Sequence, residues 1–168
     1  MAEFITRFLS DYEALVVAMD LEKEGYEFYN YTAKNSKAES TREIFKKLAK
    51  DELEHYALFK KALNDTARKN PRGEPLADDI GLYLHSLIDT GIFNQKRILK
   101  KSLKNLSDIE AISIGIQSER DSILFYKEAL DASTNPSGKR IFGFLISVEK
   151  KHLAALRNKQ LEIVKNKK

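Results

Sequence analysis

The sequence predicts an all-α fold, a four-helix bundle with one long crossover that is built from two copies of a two-helix unit. The main observation is an internal repeat: residues 10–57 align with residues 107–154 without a gap. Apolar side chains recur with helical period in both copies. The identical pairs that matter below are Ser10 and Ser107, Asp11 and Asp108, Glu22 and Glu119, Tyr29 and Tyr126, Glu52 and Glu149, and His55 and His152.

Start and stop signals divide each copy into two helices. Each copy opens with a capping box, at Ser10 and at Ser107, in which a serine and a glutamate three residues later satisfy the free amides of a helix start. Ser40, with Glu43, predicts the start of the second helix in the same way. The predicted helices cover about residues 11–35, 40–69, 108–132 and 138–164.

The connection between the second and third helices is a crossover over residues 71–106, much longer than the links within each copy. Two short hairpins joined by one long crossover form the ferritin-like arrangement of a four-helix bundle. A chain of 168 residues is long enough for one core and too short to predict two, so residues 1–168 are predicted to form one domain. His85 lies in the crossover without a repeat mate and is interpreted as a partly buried helix residue, not a ligand.

Each predicted helix carries one glutamate in the middle of its apolar stripe. Residues three, four and seven positions apart share a helix face, so these carboxylates are expected to face the core. A buried carboxylate without a partner costs several kcal/mol, and four of them also repel one another. No lysine or arginine lies in the stripes, whereas two divalent cations would neutralise the four charges. The four residues are Glu22, Glu52, Glu119 and Glu149.

The two repeated histidines complete a metal-binding pattern. His55 and His152 each follow a stripe glutamate by three residues, which places imidazole and carboxylate one above the other. A single Glu-x-x-His would more often be a pair of side chains on the surface. Here the motif occurs twice, and each time its glutamate lies 30 residues after a core-facing glutamate. One glutamate from each of two helices with Glu-x-x-His from each of two others is the ligand set of di-iron and di-manganese bundles. The sequence therefore predicts two iron ions, with manganese or a mixed pair as alternatives.

Two repeated tyrosines lie on the same stripes. Tyr29 and Tyr126 stand seven residues beyond Glu22 and Glu119, two turns along the helix. They are either core aromatics whose hydroxyls find any polar partner, or residues whose hydroxyls bind the ligand carboxylates and orient them. The residues leave both interpretations open.

Composition excludes several classes of function. The net charge of +4 is spread over the chain, apart from the terminal Lys165-Asn166-Lys167-Lys168, which argues against nucleic-acid binding. The chain has no cysteine, which excludes disulfides, thiolate metal sites and iron–sulfur clusters within it. No segment resembles a signal peptide or a membrane span. A cytoplasmic protein without a membrane partner is expected.

Two motifs carry a family resemblance: Leu21-Glu22-x-x-Gly25-x-x-Phe28-Tyr29 and Ile44-Phe45-x-x-Leu48-Ala49-x-Asp51-Glu52-x-x-His55. They resemble the rubrerythrin branch of the ferritin-like superfamily, and the resemblance covers both halves of the chain. It leaves only the crossover and the termini outside. By this likeness Glu52 and Glu149 are the bridging pair, and the iron ligands are Glu22, Glu52, His55, Glu119, Glu149 and His152.

The resemblance also implies a function. Rubrerythrins are peroxidases that reduce hydrogen peroxide at a di-iron site and receive electrons through a rubredoxin domain. This chain is therefore expected to be a di-iron oxidoreductase that reduces peroxide or dioxygen with electrons from an external donor protein, as a homodimer. Ser122 stands where a rubrerythrin usually has an extra glutamate, and the six remaining ligands also resemble bacterioferritin. A ferroxidase or iron-storage protein and a non-catalytic metal-binding module are the alternatives.

Overall fold

Four long helices make up the part of the chain that the computed structural model describes, residues 10–69 and 106–166. They are α1 (Asp11–Asn35), α2 (Glu39–Lys69), α3 (Asp108–Ala132) and α4 (Pro136–Lys165). These described ranges contain no β-strand, and the predicted all-α class is confirmed. The predicted crossover, with His85, lies outside the described residues except for Leu106.

The helices form two hairpins that pack against each other. α1 packs along α2, and α3 packs along α4. Fewer contacts join the hairpins, and they run between α1 and α3 and between α2 and α4. Tyr29 of α1 meets Glu119 of α3 while Tyr126 of α3 meets Glu22 of α1, so these two helices run antiparallel. The predicted bundle of two repeated two-helix units is confirmed.

The two hairpins begin with the predicted capping boxes. The Ser10 hydroxyl accepts a hydrogen bond from the Glu13 amide at 3.3 Å, and the Glu13 carboxylate accepts one from the Ser10 amide at 2.6 Å. Ser107 and Glu110 repeat this exchange at 3.4 Å and 2.8 Å. Both boxes satisfy amides that a helix start leaves without intrahelical partners.

The predicted cap of α2 at Ser40 is wrong. The helix begins at Glu39, and the Ala38 carbonyl already accepts from the Arg42 amide at 3.0 Å. Ser40 is a helical residue whose hydroxyl accepts a hydrogen bond from Lys159 Nζ at 2.6 Å. Glu43 turns instead to Lys46, with its carboxylate 2.7 Å from the ammonium nitrogen.

The start of α4 also differs from the predicted residue 138. The helix begins at Pro136, and the Asn135 side chain accepts from the Ser137 amide at 2.9 Å. Proline suits a first helical position because it has no amide to leave unsatisfied and its φ angle is already helical. Gly138 therefore lies inside the helix and not at its start.

Two aspartates, related by the repeat, tie each hairpin to the loop of the other. The Asp108 carboxylate accepts from the amides of Lys37 and Ala38, both at 3.1 Å. Asp11 Oδ2 accepts from the Asn135 amide at 3.1 Å and from a neighbouring threonine hydroxyl at 3.2 Å. We call these contacts the aspartate clasps. In each clasp, the carboxylate at the start of one hairpin accepts hydrogen bonds from the loop of the other hairpin.

The core consists of two apolar clusters with the stripe glutamates between them. One cluster contains Phe59, Tyr126 and Phe142, and the other contains Tyr29 and Phe45. Since the two tyrosines reach glutamates from opposite clusters, the glutamates lie at the middle of the bundle. Among the described residues, no helix is long and apolar enough to cross a membrane.

Candidate metal centre

Six ionisable side chains are buried together at the middle of the bundle. Each helix contributes one glutamate from its inward stripe, and α2 and α4 each add the histidine one turn later. None of the six is more than 5% exposed. The structure thus brings together all the residues that the sequence proposed as ligands: Glu22, Glu52, His55, Glu119, Glu149 and His152.

These side chains form two clusters that share two members. The first cluster is Glu22, Glu52, His55 and Glu149, in which one ligand atom from each residue lies within 4.8 Å of the others. His55 Nδ1 is 3.2 Å from Glu22 Oε2, 3.2 Å from Glu52 Oε2 and 3.1 Å from Glu149 Oε1. Three carboxylate oxygens therefore surround one imidazole nitrogen.

The second cluster is Glu52, Glu119, Glu149 and His152. His152 Nδ1 is 2.9 Å from Glu149 Oε2, 3.8 Å from Glu119 Oε2 and 3.9 Å from Glu52 Oε1. The two imidazole rings are stacked, with centroids 5.6 Å apart and planes 21° from parallel.

Glu52 and Glu149 belong to both clusters and use different oxygens in each. Glu52 directs Oε2 to the first cluster and Oε1 to the second, while Glu149 does the reverse. A carboxylate that offers one oxygen to each of two neighbouring positions has the arrangement that a bridging metal ligand requires.

Burial and mutual repulsion hold protons in the metal-free site. Burial raises the pKa of Glu52 well above its usual value, and the charges of Glu22 and Glu149 raise it further. Burial and Glu149 likewise raise the pKa of Glu119. Burial alone would lower the pKa of the His55 imidazole, but contacts with the carboxylates of Glu149 and Glu22 raise it to about 10.

Glu22 behaves differently from the other two carboxyls. Burial alone would raise its pKa, but hydrogen bonds with Glu52 and His55 lower the pKa below its usual value. The metal-free centre therefore pairs an ionised Glu22 with a protonated His55 and keeps Glu52 protonated. Bound cations would displace these protons, which is the usual linkage between metal binding and ligand ionisation.

The chemistry of the six residues fits two divalent cations. Four carboxylates balance four positive charges, and Glu119 Oε2 is buried without a hydrogen-bond partner among the described residues. Carboxylate and imidazole ligands without thiolate suit iron or manganese. The first cluster would hold one ion and the second cluster the other.

The two tyrosines bind the glutamate of the opposite hairpin. The Tyr29 hydroxyl donates a hydrogen bond to Glu119 Oε1, and the Tyr126 hydroxyl donates one to Glu22 Oε1. Both tyrosines are fully buried, and burial together with the neighbouring carboxylates raises the pKa of each hydroxyl, which keeps it a donor. Each tyrosine thereby occupies one carboxylate oxygen and leaves Oε2 facing the cluster.

The sequence analysis missed the contact of Asp51. Its Oδ2 lies 3.2 Å from Nε2 of His152, on the side of the ring away from the second cluster. Asp51 belongs to α2 and is a quarter exposed, so it is not on the buried stripe. The repeat contained a signal for Asp51, because the two copies differ at this position. The equivalent residue in α4 is Val148, which has no carboxylate. Ser122, where an extra glutamate was noted as missing, is half-buried on α3.

The metal-free protein is expected to become less stable as the pH rises. The raised pKa values of Glu52 and Glu119 stabilise the fold below the usual glutamate pKa of 4.5, and this contribution is lost as the pH rises through the folded-state pKa values. His55 adds stability that is fully present below 6.5 and is lost as the pH rises through about 10. The lowered pKa of Glu22 acts in the opposite direction only below 4.5.

Circular-dichroism melts in the presence of a chelator, between about pH 6 and about pH 9, measure this dependence. His55→Asn is the informative comparison. It should lessen the fall in melting temperature above pH 6.5, while the part of the fall due to Glu52 and Glu119 remains. A melting temperature of the metal-free wild type that rises over this range would contradict the protonation pattern.

Comparison with known proteins identifies a family. The family model described as Rubrerythrin matches residues 13–159, a range that includes both clusters and both tyrosines. The searches of curated proteins and of solved structures gave no match. The motifs around Glu22 and His55 had indicated the same family, and the match confirms that resemblance. Since the matched range covers most of the sequence, the chain belongs to the rubrerythrin family.

Proposed function

We propose that the protein is a di-iron oxidoreductase that reduces hydrogen peroxide, or dioxygen, with electrons from an external donor protein. The observation that carries the proposal is the pair of carboxylates, Glu52 and Glu149, that belong to both clusters, so that two bound ions would lie side by side. Two ferrous ions bound there would supply two electrons, the number that reduction of one peroxide to two waters consumes.

The residues of the chain have distinct parts in this proposal. Glu52 and Glu149 would hold both ions, and the Nδ1 atoms of His55 and His152, each close to a Glu149 oxygen, would each bind one of them. The tyrosine hydroxyls hold Glu22 and Glu119 in orientation from the outer side. Burial of the whole set excludes bulk water, which strengthens every electrostatic interaction inside.

The composition of the chain supports an external donor. The chain has no cysteine and therefore no thiolate iron centre or iron–sulfur cluster of its own. We therefore propose that electrons reach the buried carboxylates from another protein. We further propose a cytoplasmic homodimer, which would cover large apolar side chains such as Phe144 and Leu161, more than half exposed in the single chain.

A second candidate is iron handling, with ferrous iron as the substrate to be oxidised and stored. The half-buried Ser122 favours it, because the ligand set then matches the six residues of bacterioferritin without the additional rubrerythrin glutamate. A non-catalytic metal-binding module would use the same six residues without any oxidation.

Stopped-flow oxidation of the reduced, iron-loaded protein tests the three functions. We expect hydrogen peroxide to oxidise the protein faster than dioxygen does, with one peroxide consumed per pair of irons and no mineral formed. The readout is the absorbance of the ferric product together with particle size by light scattering. Equal rates with the two oxidants and growth of a ferric mineral would favour storage. An iron-loaded protein that neither oxidant changes would leave only the binding module.

A further inference from the structure

The two copies of the repeat differ at a residue that contacts one of the two histidines of the centre. Nε2 of His152 is 3.2 Å from Asp51 Oδ2, a contact that joins α4 to α2. The repeat places Val148 at the position equivalent to Asp51, and a valine side chain has no hydrogen-bond acceptor. His152 therefore has a carboxylate partner from this position of the repeat. The equivalent position in the other copy offers no carboxylate to His55.

This difference bears directly on metal affinity. His152 Nδ1 faces the second cluster, 2.9 Å from Glu149 Oε2, so Nε2 is the nitrogen that donates to Asp51. A carboxylate that accepts from the outer nitrogen fixes the tautomer, orients the ring and makes the inner nitrogen a stronger ligand. Loss of such a partner typically costs 10–100-fold in metal affinity, on the order of the effects seen in other metalloproteins.

We propose that Asp51 makes the second cluster the tighter of the two metal positions, so that the protein fills the second cluster first and the first cluster last. The inference rests on the proposed metal centre but not on the proposed reaction. It also implies that the ion held by Glu22 and His55 is the one that exchanges with solution.

Titration of metal-free protein with cobalt(II), followed by calorimetry and visible absorption, tests the order. Cobalt(II) is coloured in such sites and is not oxidised by air during the measurement. We expect the wild type to show two steps whose dissociation constants differ by about 10–100-fold. Asp51→Asn keeps the size of the side chain and removes its charge, and it should weaken the tighter step while leaving the weaker one unchanged.

Single-cluster variants show which position has changed. Glu22→Ala leaves the second cluster intact, and there Asp51→Asn should lower cobalt affinity. Glu119→Ala leaves the first cluster intact, and there Asp51→Asn should have little effect. Asp131→Asn, at an exposed position of α3, is the matched control and should leave both steps unchanged.

Val148→Asp is the reciprocal variant and should tighten the weaker step of the wild type. Far-ultraviolet circular dichroism of each metal-free variant checks that the helices are intact. Asp51→Asn should disturb the packing least, because the two side chains have nearly the same size. Two equal steps in the wild type, or an Asp51→Asn effect of the same size in both single-cluster variants, would overturn the inference. A wild type that binds no cobalt at all would instead refute the metal centre itself.

Discussion

Glu52→Ala is expected to remove both metals from the protein, whereas Glu22→Ala is expected to remove only one. Glu52 lies in both clusters and offers a different oxygen to each, so its loss takes one carboxylate ligand from both positions. Glu22 belongs to the first cluster alone. The metal content should fall from about two per chain to near zero in the first variant and to about one in the second.

Elemental analysis after anaerobic reconstitution with ferrous iron and removal of the excess measures these contents. Glu54→Ala provides a matched control, since Glu54 is an exposed glutamate of the same helix that pairs with Lys50. Its metal content should equal that of the wild type. Wild-type protein with less than about half a metal per chain would refute the site, and equal losses in Glu52→Ala and Glu22→Ala would refute the shared carboxylate.

Metal binding is expected to raise the melting temperature by about 10–20 °C. At about 100 times the dissociation constant of the weaker position, each of two bound ions stabilises the folded state by at least roughly 2.7 kcal/mol. For a chain of this length each kcal/mol raises the melting temperature by about 2–4 °C. The physical source is the removal of repulsion among the four buried carboxyl groups, which the metal-free protein lessens by holding protons on Glu52 and Glu119.

The double variant Glu52→Gln with Glu149→Gln separates this cause from general effects of added metal. It should melt above the metal-free wild type, because neutral amides of similar size replace two buried acids and need no bound proton to stay uncharged. Manganese should no longer raise its melting temperature. Thermal melts with and without manganese(II) give both values. A wild type that melts at the same temperature with and without the metal would contradict the repulsion argument.

The helix starts show which parts of the fold the sequence could predict. The boxes at Ser10 and Ser107 were predicted because their donors and acceptors are three residues apart. The start of α2 was misplaced at Ser40 because the loop before it is held by Asp108, about 70 residues away in the sequence. A hydrogen-bond acceptor that comes from the other hairpin produces no sequence pattern next to the helix whose start it fixes.

The same distinction applies to the candidate site. Helical periodicity places one glutamate of each helix in the core, so the residues that meet there could be identified without a structure. Periodicity gave no reason to select Asp51, which is off the stripe of its own helix and contacts a ring from α4. The hydrogen-bond partners of Tyr29 and Tyr126 could not be predicted either. Each tyrosine shares a helix with one stripe glutamate and binds the stripe glutamate of another helix.

Each hairpin supplies half of every paired contact described above: one aspartate clasp, one tyrosine hydrogen bond and one Glu-x-x-His. A lone ancestral hairpin would therefore have met all of these requirements by associating with an identical copy of itself. Gene duplication and fusion of such a hairpin keeps these contacts while ending the constraint that both halves be the same. An aspartate at position 51 with a valine at the equivalent position 148 is a difference that no pair of identical hairpins can encode.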